Sequence, residues 1–145
     1  MRRNRDDTDF RENRCRHEVR ESGCLFCTIS TDRPMLREVE LAYVIEDRFP
    51  VTARHLLIIP KRHEPSWFEL SQGELAQCNL LLKEMREKIL DEEKGVLGFN
   101  MGINAGVVAG QTVMHSHIHL IPRRKGDVAD PRGGVRGVIP GMQSY

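Results

Sequence analysis

Apolar and polar positions alternate with a strand rhythm on either side of one long stretch that has a helical rhythm. Residues 36–40 and 42–46 read as two short strands joined tightly. Asp47-Arg48-Phe49-Pro50-Val51-Thr52-Ala53-Arg54 is a loop in which Pro50 breaks the ladder. His55-Leu56-Leu57-Ile58-Ile59-Pro60 is an apolar run of strand length, which predicts a central strand buried on both faces. Ser66-Trp67-Phe68-Glu69 can open a short helical turn, and Ser71-x-x-Glu74 is a capping box that starts the main helix. Leu75, Cys78, Leu82, Met85 and Ile89 recur at three- and four-residue steps, so one stripe faces the sheet. Lys83, Glu84, Arg86, Glu87 and Lys88 make the outer face a solvated one, and Gly95 fits as the C-terminal stop. Residues 97–104 predict a further strand with Leu97, Phe99, Met101 and Ile103 on one face. The glycine-bearing link 105–110 then returns the chain antiparallel into a last strand within residues 110–122. Four or five strands with one long helix make an α+β domain. From about residue 126 Pro and Gly recur without period, as expected of an irregular tail lying over the domain or serving an interface.

Composition narrows the class of molecule. With 145 residues and a formal charge of +1, the chain suits one domain with an ordinary core and no global pull towards nucleic acid or membrane. No apolar run approaches a membrane-spanning length, and the start is rich in arginine and aspartate rather than signal-like. Four cysteines with only one close pair do not make a secreted disulfide framework. A soluble, cytoplasmic protein is the expectation. Residues 1–21 carry little to bury and read as a flexible charged arm, which leaves 22–145 as the single domain. The arm's arginines could touch an acidic partner, but mixed signs favour a solvated tail. Cys15 and His17 sit in that arm, a poor platform for a metal.

The chemistry concentrates in two places. His115, His117 and His119 alternate in the predicted last strand, where side chains two apart share a face. Neighbours in such a row stand roughly 6.5–7 Å apart and its ends roughly 13 Å. A zinc–nitrogen bond is only about 2.0–2.1 Å, so one ion cannot easily collect all three. The row must divide its labour. Cys24-Leu25-Phe26-Cys27 has two usual readings, a zinc knuckle or a redox pair. A redox pair wants a helix N-terminus behind it, whereas Thr28-Ile29-Ser30-Thr31-Asp32-Arg33-Pro34 is turn chemistry, which favours zinc. Cys78 lies in the helix stripe and reads as core rather than reactive.

His115-Ser116-His117-Ile118-His119-Leu120-Ile121 resembles the histidine triad (HIT) signature, His-φ-His-φ-His-φ-φ with φ apolar, with Ser116 departing at one apolar position. Gly110-Gln111-Thr112-Val113 and Pro122-Arg123-Arg124 also look like HIT proteins, and the likeness runs from about Cys24 to the end of the chain. The resemblance implies a HIT-like fold, an antiparallel sheet of about five strands carrying one long helix. It implies a nucleotide hydrolase that cleaves at the α-phosphate of diadenosine polyphosphates or related compounds through a nucleotidyl-histidine intermediate. His117 would be the nucleophile and His119 its catalytic partner. His119 and Thr112 would bond the phosphate oxygens, and Gly110 and Gln111 would bring backbone N–H groups close. Asn104 and His55 match polar active-site positions, and Asp47 would hold the ribose hydroxyls. In the zinc-bearing branch the first histidine joins two cysteines and the histidine of a Pro-Lys-x-His sequence. That assigns Cys24, Cys27, His63 and His115 to a structural zinc. A homodimer is implied as well. A purine nucleoside phosphoramidase, or a nucleotide-binding regulator with incidental turnover, are the competing expectations.

Overall fold

The computed structural model describes residues 19–29 and 33–144. The arm expected over 1–21, with Cys15 and His17, lies outside the described residues except for its last three positions. Five strands form one antiparallel sheet in the order β1-β2-β3-β5-β4: β1 (Arg37–Glu38), β2 (Ala42–Glu46), β3 (Leu56–Pro60), β4 (Val96–Gly102) and β5 (Ile118–Arg124). The helix α1 (Gln72–Glu92) crosses between β3 and β4. This is the α+β sheet-and-helix architecture that the sequence predicts.

The period of two in β3 explains both faces of the sheet. Leu56 and Ile58 join Ala42, Val44, Ile118 and Leu120 beneath α1. Leu57 and Ile59 join Tyr43, Ile45 and Phe26 on the other side, where the Cys24–Cys27 turn covers them. Every residue of β3 is buried, as a central strand covered on both faces should be. His119 stands opposite Leu57, so it shares the face away from the helix.

Several expectations need correction. Only His119 of the three histidines lies within β5; His115 and His117 lie on the irregular approach to it. The ladder starts late because the Ser116 N–H donates to the Glu64 carbonyl at 2.7 Å, not to a strand. In α1 the buried stripe is Glu74, Cys78, Leu81, Leu82, Met85 and Ile89, with Leu75 only half-buried. Glu74 tolerates burial because Arg62 meets both its oxygens at 2.8 and 3.0 Å while Ser71 closes the capping box. Burial alone would raise its carboxyl; the Arg62 pair and the Ser71 N–H outweigh this and hold it below the usual range. The helix ends at Glu92 and Gly95 is not left-handed, so Glu93, whose N–H reaches the Ile89 carbonyl, makes the stop. In β4 a bulge inserts Leu97 between Val96 and Gly98. The bulge turns Leu97 to solvent, and Val96, Phe99 and Ile103 meet the core instead.

Pro122 sits in β5, a central strand, without breaking it. Its carbonyl accepts from the Thr52 hydroxyl at 2.6 Å, beyond the start of β3. In an antiparallel strand a residue's N and C=O point the same way, so the missing N–H faces this loop and costs no ladder bond to β4.

Candidate active site and metal centre

His117 stands between two rings and one carbonyl. Its Nδ1 lies 2.8 Å from the His115 carbonyl, which only accepts, so the proton sits on Nδ1 and the neutral ring keeps its lone pair on Nε2. Phe26 packs edge-on against the ring at 5.1 Å, and His119 lies at the same distance on another side. His117 is buried apart from the edge that lines a cavity of about 800 Å³.

A relay fixes the protonation of His119. The Val51 N–H donates to His55 Nδ1 at 3.1 Å, so His55 carries its proton on Nε2. That Nε2–H donates to His119 Nδ1 at 2.9 Å, which leaves His119 an Nε2–H donor on a ring lining the same cavity. Burial lowers the His119 pKa to about 4, helped by His117 and His55 and opposed by Asp47. Burial lowers His55 too, against the pull of Asp47. Both rings are therefore neutral at pH 7. Asp47 lies 3.5 Å from His55 Nε2 and 3.8 Å from His119 Nδ1, with its other oxygen accepting from the Phe49 N–H at 2.8 Å. Asp47, His55 and His119 are close enough to suggest a cation site. The Val51 N–H argues against one, because it keeps the proton on the very nitrogen that would have to bind the ion.

A second cluster has the opposite character. Cys24 Sγ and Cys27 Sγ lie 3.5 and 3.6 Å from His115 Nδ1, and Cys27 Sγ lies 3.3 Å from His63 Nδ1. Tetrahedral bonds of about 2.3 Å to sulfur and 2.05 Å to nitrogen put ligand atoms about 3.6 Å apart, so these spacings suit one zinc ion. The outer contacts point the same way. His115 Nε2–H donates to the Pro60 carbonyl at 2.7 Å, and His63 Nε2 pairs with Glu21, which leaves both Nδ1 atoms free of protons. The Glu21 N–H reaches Cys27 Sγ at 3.4 Å.

The remaining predicted residues divide. Asp47, His55, Asn104 and Thr112 line the cavity with His117 and His119. Gln111 does not. Its amide donates to the Pro65 and Val113 carbonyls, its carbonyl accepts from Gly106, and its own N–H goes to the Gly106 carbonyl. The Gly110 N–H is likewise taken by the Val107 carbonyl. Gln111 thus braces the 106–113 loop from within. Sequence reading missed Phe26 as a wall of the histidine site and missed the cavity contributions of Arg123, Asp127 and the tail. Phe26, lying inside the Cys-x-x-Cys turn, carried the one signal that could have found it.

Ser116, where the triad signature asks for an apolar residue, is buried and its hydroxyl has no partner. An unmet buried hydroxyl costs about 1–3 kcal/mol. Ser116→Ala is therefore expected to raise stability by about 1 kcal/mol in urea unfolding; a clear loss would show that the hydroxyl is satisfied in solution.

The HIT domain model matches residues 30–126. An uncharacterized HIT-like protein of Mycoplasma genitalium is 37% identical over 105 residues, covering 70% of this chain and 74% of that protein. The asymmetrical bis(5'-nucleosyl)-tetraphosphatase of Schizosaccharomyces pombe is 35% identical over 81 residues, covering 56% of this chain and 44% of that enzyme. The crystal structure of a Zn-bound histidine triad family protein from Mycobacterium smegmatis matches with a TM-score of 0.66 at 33% identity, covering 74% of this chain and 80% of that one. With more than half its length matched by the family's own domain, this chain belongs to the histidine triad (HIT) family.

Proposed function

We propose that this protein hydrolyses dinucleoside polyphosphates or related nucleotides at the α-phosphorus, with His117 as nucleophile. The observation that carries the reading is the His117 ring, held by the His115 carbonyl in the tautomer that keeps an Nε2 lone pair beside the cavity. Attack forms an Nε2–P bond and breaks the P–O bond to the leaving phosphate, which departs with the electron pair. Water then attacks phosphorus and loses a proton to solvent, the Nε2–P bond breaks, and its electron pair returns to the ring as the nucleoside monophosphate leaves. His119 Nε2–H and the Thr112 hydroxyl supply donors for the phosphate oxygens, where charge builds in the transition state. The test is product analysis on dinucleoside polyphosphates and nucleoside phosphoramidates side by side. Faster turnover of the polyphosphates supports the reading, and cleavage confined to phosphoramidates overturns it.

The Cys24, Cys27, His63 and His115 cluster would hold zinc as a closed structural site, with no open position for substrate. Its role is to tie the N-terminal turn to the approach of β5.

Asp47 is assigned to the ribose. Asp47→Ala is expected to lower kcat/KM about tenfold for ribonucleotides, and less for the 2′- and 3′-deoxy forms. Equal losses across the series would place its effect in the His55–His119 pair instead. A homodimer across the β4 edge is also proposed, because β4 ends the sheet and exposes Leu97 and Met101. Light scattering should give twice the chain mass, and a concentration-independent monomer would exclude the pairing.

A further inference from the structure

The family match ends at residue 126, but the cavity around His117 does not end there. Val128, Val135 and Val138 continue its lining, although they are 46%, 64% and 77% exposed. Three valines facing one cavity from a single short segment make a concave apolar surface, unlike scattered exposed residues. The segment is held in place by polar contacts. Arg123 grips Asp127 through two bonds of 2.7 and 2.8 Å and donates to Asn100 of β4 at 2.6 Å. A Cβ at Gly134 would stand 3.1 Å from Asn100 Nδ2, so the tail backbone lies directly on that strand's side chain. Gly133, at φ 65°, has no room for any side chain, because a Cβ would meet the Gln143 carbonyl at 1.9 Å. The turn Gly134–Val138 that carries two of the valines is fixed by these contacts.

Sheet order shows what this wall faces. Asp47 follows β2 on one side, His119 lies in β5 with His117 just before it, and the tail rests on β4 on the other side. Strands about 4.8 Å apart put β3 and β4 about 10 Å from each other, with β5 between them. A phosphate at His117 therefore has the ribose-binding side on one flank and the valine wall on the other. We propose that residues 127–138 form a leaving-group subsite that takes the second nucleoside of a dinucleoside polyphosphate. The proposal rests on the hydrolase reading above. Valines give a base an apolar face to bury against and give a small leaving group such as ammonia nothing to bind.

The experiment compares kcat/KM for diadenosine tetraphosphate with that for adenosine 5′-phosphoramidate, which shares the adenylyl half. In Val135→Asp and Val138→Asp the ratio of the two is expected to fall at least about tenfold from wild type. Val135→Ile, which keeps the wall apolar, should hold the ratio, and circular dichroism confirms that each variant is folded. An unchanged ratio in the aspartate variants, whether both substrates lose equally or neither does, overturns the subsite while leaving the hydrolase reading standing. Wild-type protein that turns over neither substrate overturns the hydrolase reading, and the subsite with it.

Discussion

Replacing His117 with alanine is expected to lower kcat by at least about 10⁴-fold, because the attacking atom itself is removed. Nucleotide binding should survive, since Thr112, Asp47 and Phe26 still line the cavity. The neighbouring rings cannot take over. His115 has its Nε2–H on the Pro60 carbonyl and its Nδ1 among the sulfur atoms, away from the cavity lining. His119 accepts at Nδ1 from His55, so its Nε2 carries a proton and has no lone pair to offer. The measurement is single-turnover labelling with a substrate marked at the α-phosphate. Wild type should carry an acid-labile, base-stable phosphoramidate label, and His117→Ala should carry none. A mutant with near-wild-type turnover would remove His117 from the mechanism.

Those tautomers also mark how far the sequence could be read. Of the alternating histidines His117 and His119 do line the cavity while His115 turns to the cysteines, but a period of two is common to any extended backbone. It could not reveal that the ladder begins only at Ile118, after the Ser116 N–H has gone to Glu64. The strand β3 was legible because its run is apolar at every position and buried on both faces. The β4 pattern was misread at its first residue, since a period-two reading assumes no insertion and Leu97 is an insertion, while Phe99 and Ile103 do meet the core. Glu74 was legible as a capping residue but not as a member of the buried stripe. Its burial depends on Arg62, twelve positions away in the loop after β3.

The site divides along the same line. Residues whose role lies in their own chemistry could be named from the sequence, and the Cys24, Cys27, His63 and His115 atoms do converge. Gln111 shows the limit: its backbone N–H, like that of Gly110, is as good a phosphate donor as any until the Gly106 and Val107 carbonyls take the two. The tail shows another: Val128, Val135 and Val138 stand seven and three apart, but the Gly and Pro among them predict no helix that would turn them to one face. The Arg123 grip on Asp127 and the close contacts at Gly133 and Gly134 turn them towards the cavity.

Purified protein is expected to carry about one zinc per chain, and Cys24→Ser to lose the metal together with much of its thermal stability. The four donors come from three separated segments: the turn before residue 29, the end of β3 and the approach to β5. An ion there closes loops that the hydrophobic core leaves open, so its binding free energy adds to folding. Burial pushes the Cys27 thiol up, with the Glu21 N–H only partly opposing it, and pushes His115 down to about 4. Cys27 must therefore release a proton to ligate, whereas His115 is already in its ligating form at pH 7. Affinity should accordingly fall as pH drops. The opposing picture is a free Cys24–Cys27 thiol pair with no metal. Elemental analysis with thermal melts before and after chelation separates the two. Metal should leave Cys24→Ser but stay in His117→Ala, because the His117 Nδ1 bonds only a carbonyl. A metal-free wild type, equally stable with and without chelator, would refute the zinc site.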